Sequence, residues 1–518
     1  MTTKSKTSRK KPLFEGADWN FDTLKRIYDT VEKVGVSDLK LDIYPNQIEV
    51  ITAEQMLDAY TSTGMPLMYR HWSFGKQFAR ESESYRRGMR SLAYELVINA
   101  NPCISYLMEE NSATMQTLVL AHAAIGHNHF FKNNYLFKQW TNAESVLDYL
   151  AFAKDYVKEC EERHGLAEVE IVLDAAHALM RQGVSRYPKV PQSARAEKDA
   201  ERKKRRRAHE DSVYDDLWRT LPVKKARKPI RQPVKSPSGN DQIMELPEEN
   251  LLYFLEKYAP RLKDWQRELI RIVRMMAQYF YPQRQTKMMN EGCATFTHYE
   301  IMNRLFEKGF ITEGSLMEAL HMHSSVMMQP SFNDKRFSGL NPYALGFSIM
   351  RDIKRICEEP TDEDKDWFPN FAGNGDAMGT LKTAWADYRD ESFILQYLSP
   401  QVIRDLRLFT LHDEPDELEF EVSAIHNERG YREIRRSLAL HYDASVQDPD
   451  IRIVDADLNS SRRLTVQHRV RGGRLLHKAD CDRTMQHLAQ LWGHRVKLLE
   501  IDDESGKVMR EQEALPLP

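Results

Sequence analysis

Apolar residues recur at helical spacing along most of this chain, and that periodicity limits its architecture more than any other feature. Leu24, Ile27, Tyr28 and Val31 mark one such face near the start, and Trp265, Leu269, Ile272, Val273, Met276 and Phe280 mark another past the middle. Stripes of this width must be covered, so the chain reads as mainly α, a large helical N-terminal body around a shared core. The stretch from Ser91 to Tyr106 reads the same way apart from a break at Asn101-Pro102. With 518 residues the chain has room for two or three domains.

Two changes of character divide it. Between 188 and 241 the composition turns basic and polar: Lys203-Lys204-Arg205-Arg206-Arg207 is followed by Lys224, Lys225, Arg227 and Lys228 and by a Pro/Ser/Gly stretch. After about 411 helical spacing gives way to alternation. Leu418, Phe420 and Val422 read as a strand, Ile434 to His441 as a helix, and Ile451–Val454 and Leu464–Val470 as strands. A helix through Met485 and Leu491 and a strand through Val496 and Leu498 follow. That is the order of a ferredoxin-like βαββαβ module. The expected organisation is a flexible basic tail (1–17), a helical body in two halves (18–187 and 242–410) around a basic, partly disordered insertion (188–241), an α+β module (411–503) and a second tail (504–518).

Composition removes several function classes. Lys+Arg number 74 against 77 Asp+Glu, so global charge points to no particular partner. The basic run carries no interleaved aromatics to stack on bases, which favours a solvated linker over nucleic-acid binding. The five cysteines are scattered without a CxxC pair, no apolar h-region follows the basic start, and no window approaches the ~20 apolar residues of a membrane span. A reducing cytoplasm is the expected compartment. Walker-type phosphate loops, GxGxxG and GxSxG are all absent from the sequence.

Chemistry concentrates in one apolar segment. Leu118 to His127 is nearly all apolar, which places it inside, and His122, His127 and His129 fall in or just after it. A helical zinc site wants two histidines one turn apart. His122 and His127 are five apart, about 140° out of phase on a regular α-helix. They converge only through a π-bulge or a helix end, and Gly126 is a place for one. Two readings stand at this point, a metal or catalytic cluster and a set of satisfied core histidines. His321-Met322-His323 reads as packing, with its histidines on different faces.

A second segment, Asn290-Glu291-Gly292-Cys293-Ala294, resembles the one in which gluzincin metallopeptidases carry their third zinc ligand. On a helix, Glu291 and His298 share a face, so a carboxylate and an imidazole can point into one buried site. The resemblance implies a zincin-like site with zinc, or another divalent metal, on His122, His127 and Glu291. It departs at Ala123, which stands where those enzymes carry their general-base glutamate, and in the extra residue between the histidines. Another carboxylate must then take that role. Glu95, in a more apolar run than Glu109 or Glu110, is the best placed, and Glu95 and His298 are the candidate catalytic pair.

Taken together, Tyr94–Pro102, the Ala121–Asn134 stretch, Asn290-Glu291-Gly292 with His298, Asn341–Phe347 and Asp390–Ile394 resemble the SpoVR family (stage V sporulation protein R-like), from about Trp19 to about Leu499. The resemblance implies a cytoplasmic role in the cell envelope, the spore cortex and its peptidoglycan, or in stress responses. It also implies, as partners, a PrkA-type serine protein kinase and a YeaH-type protein with a von Willebrand A-like domain. Two functions follow as expectations. One is a metal-dependent hydrolase or amide-processing enzyme, and the other is a regulatory scaffold whose C-terminal module docks the kinase system.

Overall fold

The computed structural model describes residues 11–61, 69, 71–72, 95–185, 246–337, 339–412, 421–424, 426–458 and 460–517; the basic insertion expected at 188–241 lies outside them. The chain forms two compact units, Met1–His177 with Lys263–Pro449, and Ala178–Leu262 with Asp450–Pro518. Among the described residues no helix is long and apolar enough to cross a membrane.

Helices build the first unit. The ones that carry the site are α1 (Phe21–Lys33), α2 (Ala113–Val119), a π-helix (Leu120–His127), α3 (Asn128–Asn133), α4 (Asp264–Gln285), α5 (Lys287–Glu307), α6 (Glu313–Val326), α7 (Pro342–Glu358), α8 (Ala377–Asp387), α9 (Asp390–Tyr397) and α10 (Glu428–Tyr442). Their starts are written in the sequence. Asn20, Ser112, Thr312 and Asn341 each accept a hydrogen bond from a backbone N–H of the first turn, and Pro342 occupies the first helical position of α7, where a missing N–H costs nothing. Of the tail expected over 1–17, residues 11–17 are described, and there the Leu13 N–H donates to the Phe310 carbonyl and Phe14 is buried in the core.

Helix α5 is the centre of this unit. It packs on the π-helix and on α7, and Met289, Cys293, Phe296 and Ile301 join Leu120, Ile125, Leu345, Ile349 and Ile353 in one apolar cluster. Glycine allows the approach on both sides. A Cβ on Gly126 would lie 2.6 Å from the Ala294 Cα, and one on Gly346 would lie 2.5 Å from the Met288 carbonyl oxygen and 2.8 Å from the Gly292 Cα. The helices therefore touch backbone to backbone at these points.

A three-stranded sheet completes the site region. Its middle strand, β3 (Cys103–Met108), runs parallel to β1 (Asn46–Ile51) and antiparallel to β2 (Glu95–Ile98). This corrects the helical reading of Ser91 to Tyr106 from Glu95 onward, residues 91–94 lying outside the described ones: Asn101-Pro102 is the reversal between two strands, not a break in a helix. Ile104, Leu107 and Met108 are buried as well as Cys103 and Ser105, and a strand covered on both faces shows no alternation to distinguish it from a buried helix.

The expected βαββαβ module is divided differently. β4 (Thr410–His412) and β5 (Glu421–Ala424) pair with each other in a two-stranded ladder, and α10 packs on α9, where the Arg435 guanidinium donates to the Leu395 carbonyl; all of these belong to the first unit. The second unit holds β6 (Asp450–Ala456), β7 (Leu464–Val470), α11 (Lys478–Trp492), β8 (Val496–Asp502) and β9 (Val508–Ala514), in sheet order β6-β7-β8-β9 with only β7 and β8 parallel. Alternation identifies a strand but not the sheet it joins, which is why the ferredoxin-like order fails. β9 lies in the segment expected to be a tail, and its alternation is muted because it is a polar edge strand carrying Arg510, Glu511 and Glu513. Residues before 262 complete this unit: the Glu248 N–H and C=O pair with Ile453, and Phe254 stacks on the Trp492 ring at 6.0 Å.

Candidate metal centre

The five-residue spacing of His122 and His127 is resolved by the backbone. Both lie on the π-helix, whose rings close from residue i to i+5, so residues five apart stack on one face as residues four apart do on an α-helix. The expected π-bulge extends over Leu120–His127, and the two imidazole rings meet edge to face at 4.7 Å between centroids. His129 goes elsewhere. Its Nδ1 lies 2.9 Å from the Asp42 carbonyl and its ring is edge-on to Trp385, so it joins the core and not the cluster. The Lys132, Asn133 and Asn134 side chains just beyond it donate to the Asp42, Ile43, Trp385 and Tyr388 backbone carbonyls and so anchor neighbouring segments.

Three further elements bring their groups to the same point. β2 presents Glu95 from its first residue, and α5 presents Glu291 and, two turns on, His298. His122 Nε2 lies 3.2 Å from Glu95 Oε1 and 3.8 Å from Glu291 Oε2, and His127 Nε2 lies 3.6 Å from the same Glu291 oxygen. Glu95, His122 and His127 each offer a ligand atom within 4.8 Å of the others. The histidine side chains are 6% and 9% exposed and the two carboxylates 19% and 18%, so the cluster opens towards solvent on its carboxylate side.

The second ring of contacts fixes the tautomers. Asn290 Oδ1 lies 2.9 Å from His127 Nδ1, and an amide oxygen only accepts, so that nitrogen carries the proton and Nε2 presents a lone pair. His122 Nδ1 lies 2.9 Å from His298 Nδ1, and His298 Nε2 lies 2.9 Å from His323 Nδ1 on α6. Both nitrogens of His298 are thus taken by other imidazoles. His298, expected as a catalytic residue, thus lies behind His122 and contacts it from the side away from the carboxylates. The Tyr343 hydroxyl at the start of α7 bonds Glu291.

Electrostatics separates the two carboxylates. Burial pushes the Glu95 carboxyl up to about 7, opposed by the positive charge of His122 and helped by the negative charge of Glu291. Burial acts on Glu291 in the same direction, but the positive charge of His122 and His127 and the hydrogen bond from Tyr343 outweigh it and hold it below the usual carboxylate range. Burial lowers His127 to about 4. His122 also pays for burial, yet the Glu95 and Glu291 carboxylates outweigh that and raise it.

The donor set fits a transition-metal ion. Ligands about 2.0–2.1 Å from a tetrahedral zinc are about 3.3–3.4 Å apart, and the three imidazole–carboxylate separations above run from 3.2 to 3.8 Å. Glu291 Oε2, which faces both imidazoles, and Glu95 Oε2 are buried oxygens with no hydrogen-bond donor. A cation satisfies such an orphaned acceptor, whereas leaving it bare costs roughly 1–3 kcal/mol. The site is not the zincin arrangement. Its histidines lie on a π-helix, and Ala123, where the general base would be, is fully buried in the apolar core.

His323 and Asn290 escaped the sequence reading. His-Met-His on a helix carries no signal of its own, and Asn290 was visible only as the neighbour of Glu291.

Fold and cluster together define a mainly helical protein with a buried histidine–carboxylate centre. The chain belongs to the SpoVR family: the family described as "SpoVR like protein" matches residues 18–447, and "SpoVR-like C-terminal domain" matches residues 449–503. The junction between the two matches falls within two residues of the break between the structural units at 449/450. The chain is similar to "Uncharacterized protein YcgB" of Escherichia coli (strain K12), with 50% identity over 501 residues, 96% of this chain and 95% of that protein. No solved structure matches it.

Proposed function

We propose that this protein is a metal-dependent enzyme that hydrolyses or otherwise processes an amide bond, with His122, His127 and Glu291 holding a divalent ion, zinc or a similar metal, and Glu95 acting beside it as the proton-transfer group. The observation that carries the reading is the convergence of two imidazole Nε2 atoms on a carboxylate oxygen, Glu291 Oε2, that has no hydrogen-bond donor of its own. A bound ion would polarise a carbonyl and lower the pKa of a water. The chain supplies the rest. Asn290 orients His127, Tyr343 orients Glu291, and the Glu95 carboxyl, poised near 7 by burial, takes a proton at Oε1 or Oε2 and returns it to a leaving nitrogen. The family supports a cell-envelope substrate, a peptidoglycan precursor or cortex peptide, handled in the cytoplasm.

The competing reading is a regulatory scaffold acting with a PrkA-type kinase and a YeaH-type partner. The His122–Glu95 pair at 3.2 Å favours it, because an imidazolium between two carboxylates is self-sufficient without an ion. Elemental analysis separates the two. The enzyme reading expects a stoichiometric transition metal in the purified protein, lost in His122→Ala and in His127→Ala. Protein that neither retains nor takes up zinc, manganese or iron would favour the scaffold.

A further inference from the structure

The row His122, His298, His323 crosses from the π-helix through α5 to α6 with two contacts of 2.9 Å. All three rings are buried, 4% exposed at His122, 2% at His298 and 9% at His323. A neutral imidazole has one N–H and one lone pair, so a row of rings joined nitrogen to nitrogen has a direction. For Nε2 of His122 to face the carboxylates with a lone pair, its proton must be on Nδ1. His298 Nδ1 then accepts, which puts the His298 proton on Nε2, and His323 Nδ1 must accept that one in turn. One assignment at His122 fixes all three rings. An imidazolium at His122 also donates from Nδ1, so the direction of the row is the same with and without an ion.

We propose that His298 and His323 are positioning residues that form a directional imidazole chain, His122 Nδ1–H to His298 Nδ1 and His298 Nε2–H to His323 Nδ1, which aims His122 Nε2 into the metal centre before any ion arrives. The chain ends on α6 about one helix away from the ion, and so His323 acts on the centre without touching it. This inference rests on the metal reading of His122 and His127.

The test replaces His323, which contacts no candidate ligand. His323→Leu removes the terminal acceptor, while His323→Asn restores one at the position of Nδ1. In the full-length protein, zinc affinity measured by competition with a chromophoric chelator is expected to fall about 10–100-fold in His323→Leu and to recover most of the loss in His323→Asn, with equal thermal unfolding of the two metal-free variants. Histidine-selective 15N spectra of metal-free protein are expected to show His298 protonated on Nε2 in the wild type and in His323→Asn, and a mixture of tautomers in His323→Leu. Wild-type affinity in both variants, or a His298 proton on Nδ1 in the wild type, overturns the proposal. If the wild type binds no zinc, the metal reading fails on that result alone, and the ring spectra of the metal-free protein still decide whether the chain has this direction.

Discussion

At the scale of single residues, the two buried carboxylates near His122 are chemically alike and differently placed, and their environments assign the work. Glu291 is held ionised by two imidazoles and a phenol, while Glu95 is pushed towards its neutral form by burial. Glu95→Gln is therefore expected to keep the bound metal and lose about 10²–10⁴-fold in turnover, whereas Glu291→Gln loses the metal itself. Metal content measured beside activity distinguishes the two. A third carboxyl shows the same physics away from the cluster. Asp390 accepts hydrogen bonds from the Met288 and Met289 N–H groups at the start of α5, at 2.9 and 2.8 Å, and burial raises it to about 7 despite those bonds. An acid raised from about 3.8 to about 7 on folding holds its proton more tightly in the folded state. Its contribution is thus full below about pH 4 and is lost as the pH rises to about 7. Asp390→Asn leaves one helix N–H without an acceptor and is expected to destabilise the protein, with the gap from wild type narrowing between pH 4 and pH 7 in urea titrations. Of the site, His122, His127, Glu291 and Glu95 were legible, because polar residues in apolar runs must find partners inside. His323 was not, since its partners come from helices distant in sequence.

At the scale of elements, the centre depends on how closely α5 approaches its neighbours. An alanine at 346 would drive its Cβ against the Met288 carbonyl and the Gly292 Cα. Those are backbone atoms that cannot turn aside, so the helices must separate. Gly346→Ala is expected to cost about 1–3 kcal/mol or more in denaturant unfolding and to weaken zinc binding as Glu291 withdraws. Helix periodicity and caps were readable here because they are local properties. Strand β3 was not, because burial on both faces erases alternation, nor β2, a four-residue strand with only Ile98 buried, nor β9, where Arg510 and Glu511 put charge on both faces. The π-helix was readable only through its consequence, two histidines five apart that had reason to converge.

At the scale of the molecule, the chain passes between its two units more than once, so that Ala178–Leu262 folds with residues that follow Asp450. Long-range assembly of this kind leaves no periodic trace, and the sequence reading accordingly placed the boundary at 411 and assigned α10 to the wrong unit. Trp492 offers a way to probe the second unit separately. It is fully buried, stacks with Phe254 and donates from Nε1 to the Arg462 carbonyl at 2.6 Å. Trp492→Ala is expected to cost about 3–5 kcal/mol in the unfolding of that unit. The proposed metal ligands all lie in the first unit, so any zinc stoichiometry is expected to stay unchanged, and calorimetry with metal analysis on the same sample reads both.

Under the proposed metal reading, the glycine contacts on either side of α5 also bear on which ions the centre takes. Where backbones touch, the π-helix and α7 cannot shift on α5 without losing those contacts, so the backbone frame that carries the donors is held in place. Calcium needs six to eight oxygens at about 2.3–2.6 Å, more room and more ligands than two imidazoles and two carboxylates in this frame provide. The protein is expected to exclude calcium even in large excess over zinc, and a calcium-displaced zinc ion in equilibrium competition would show that the frame yields.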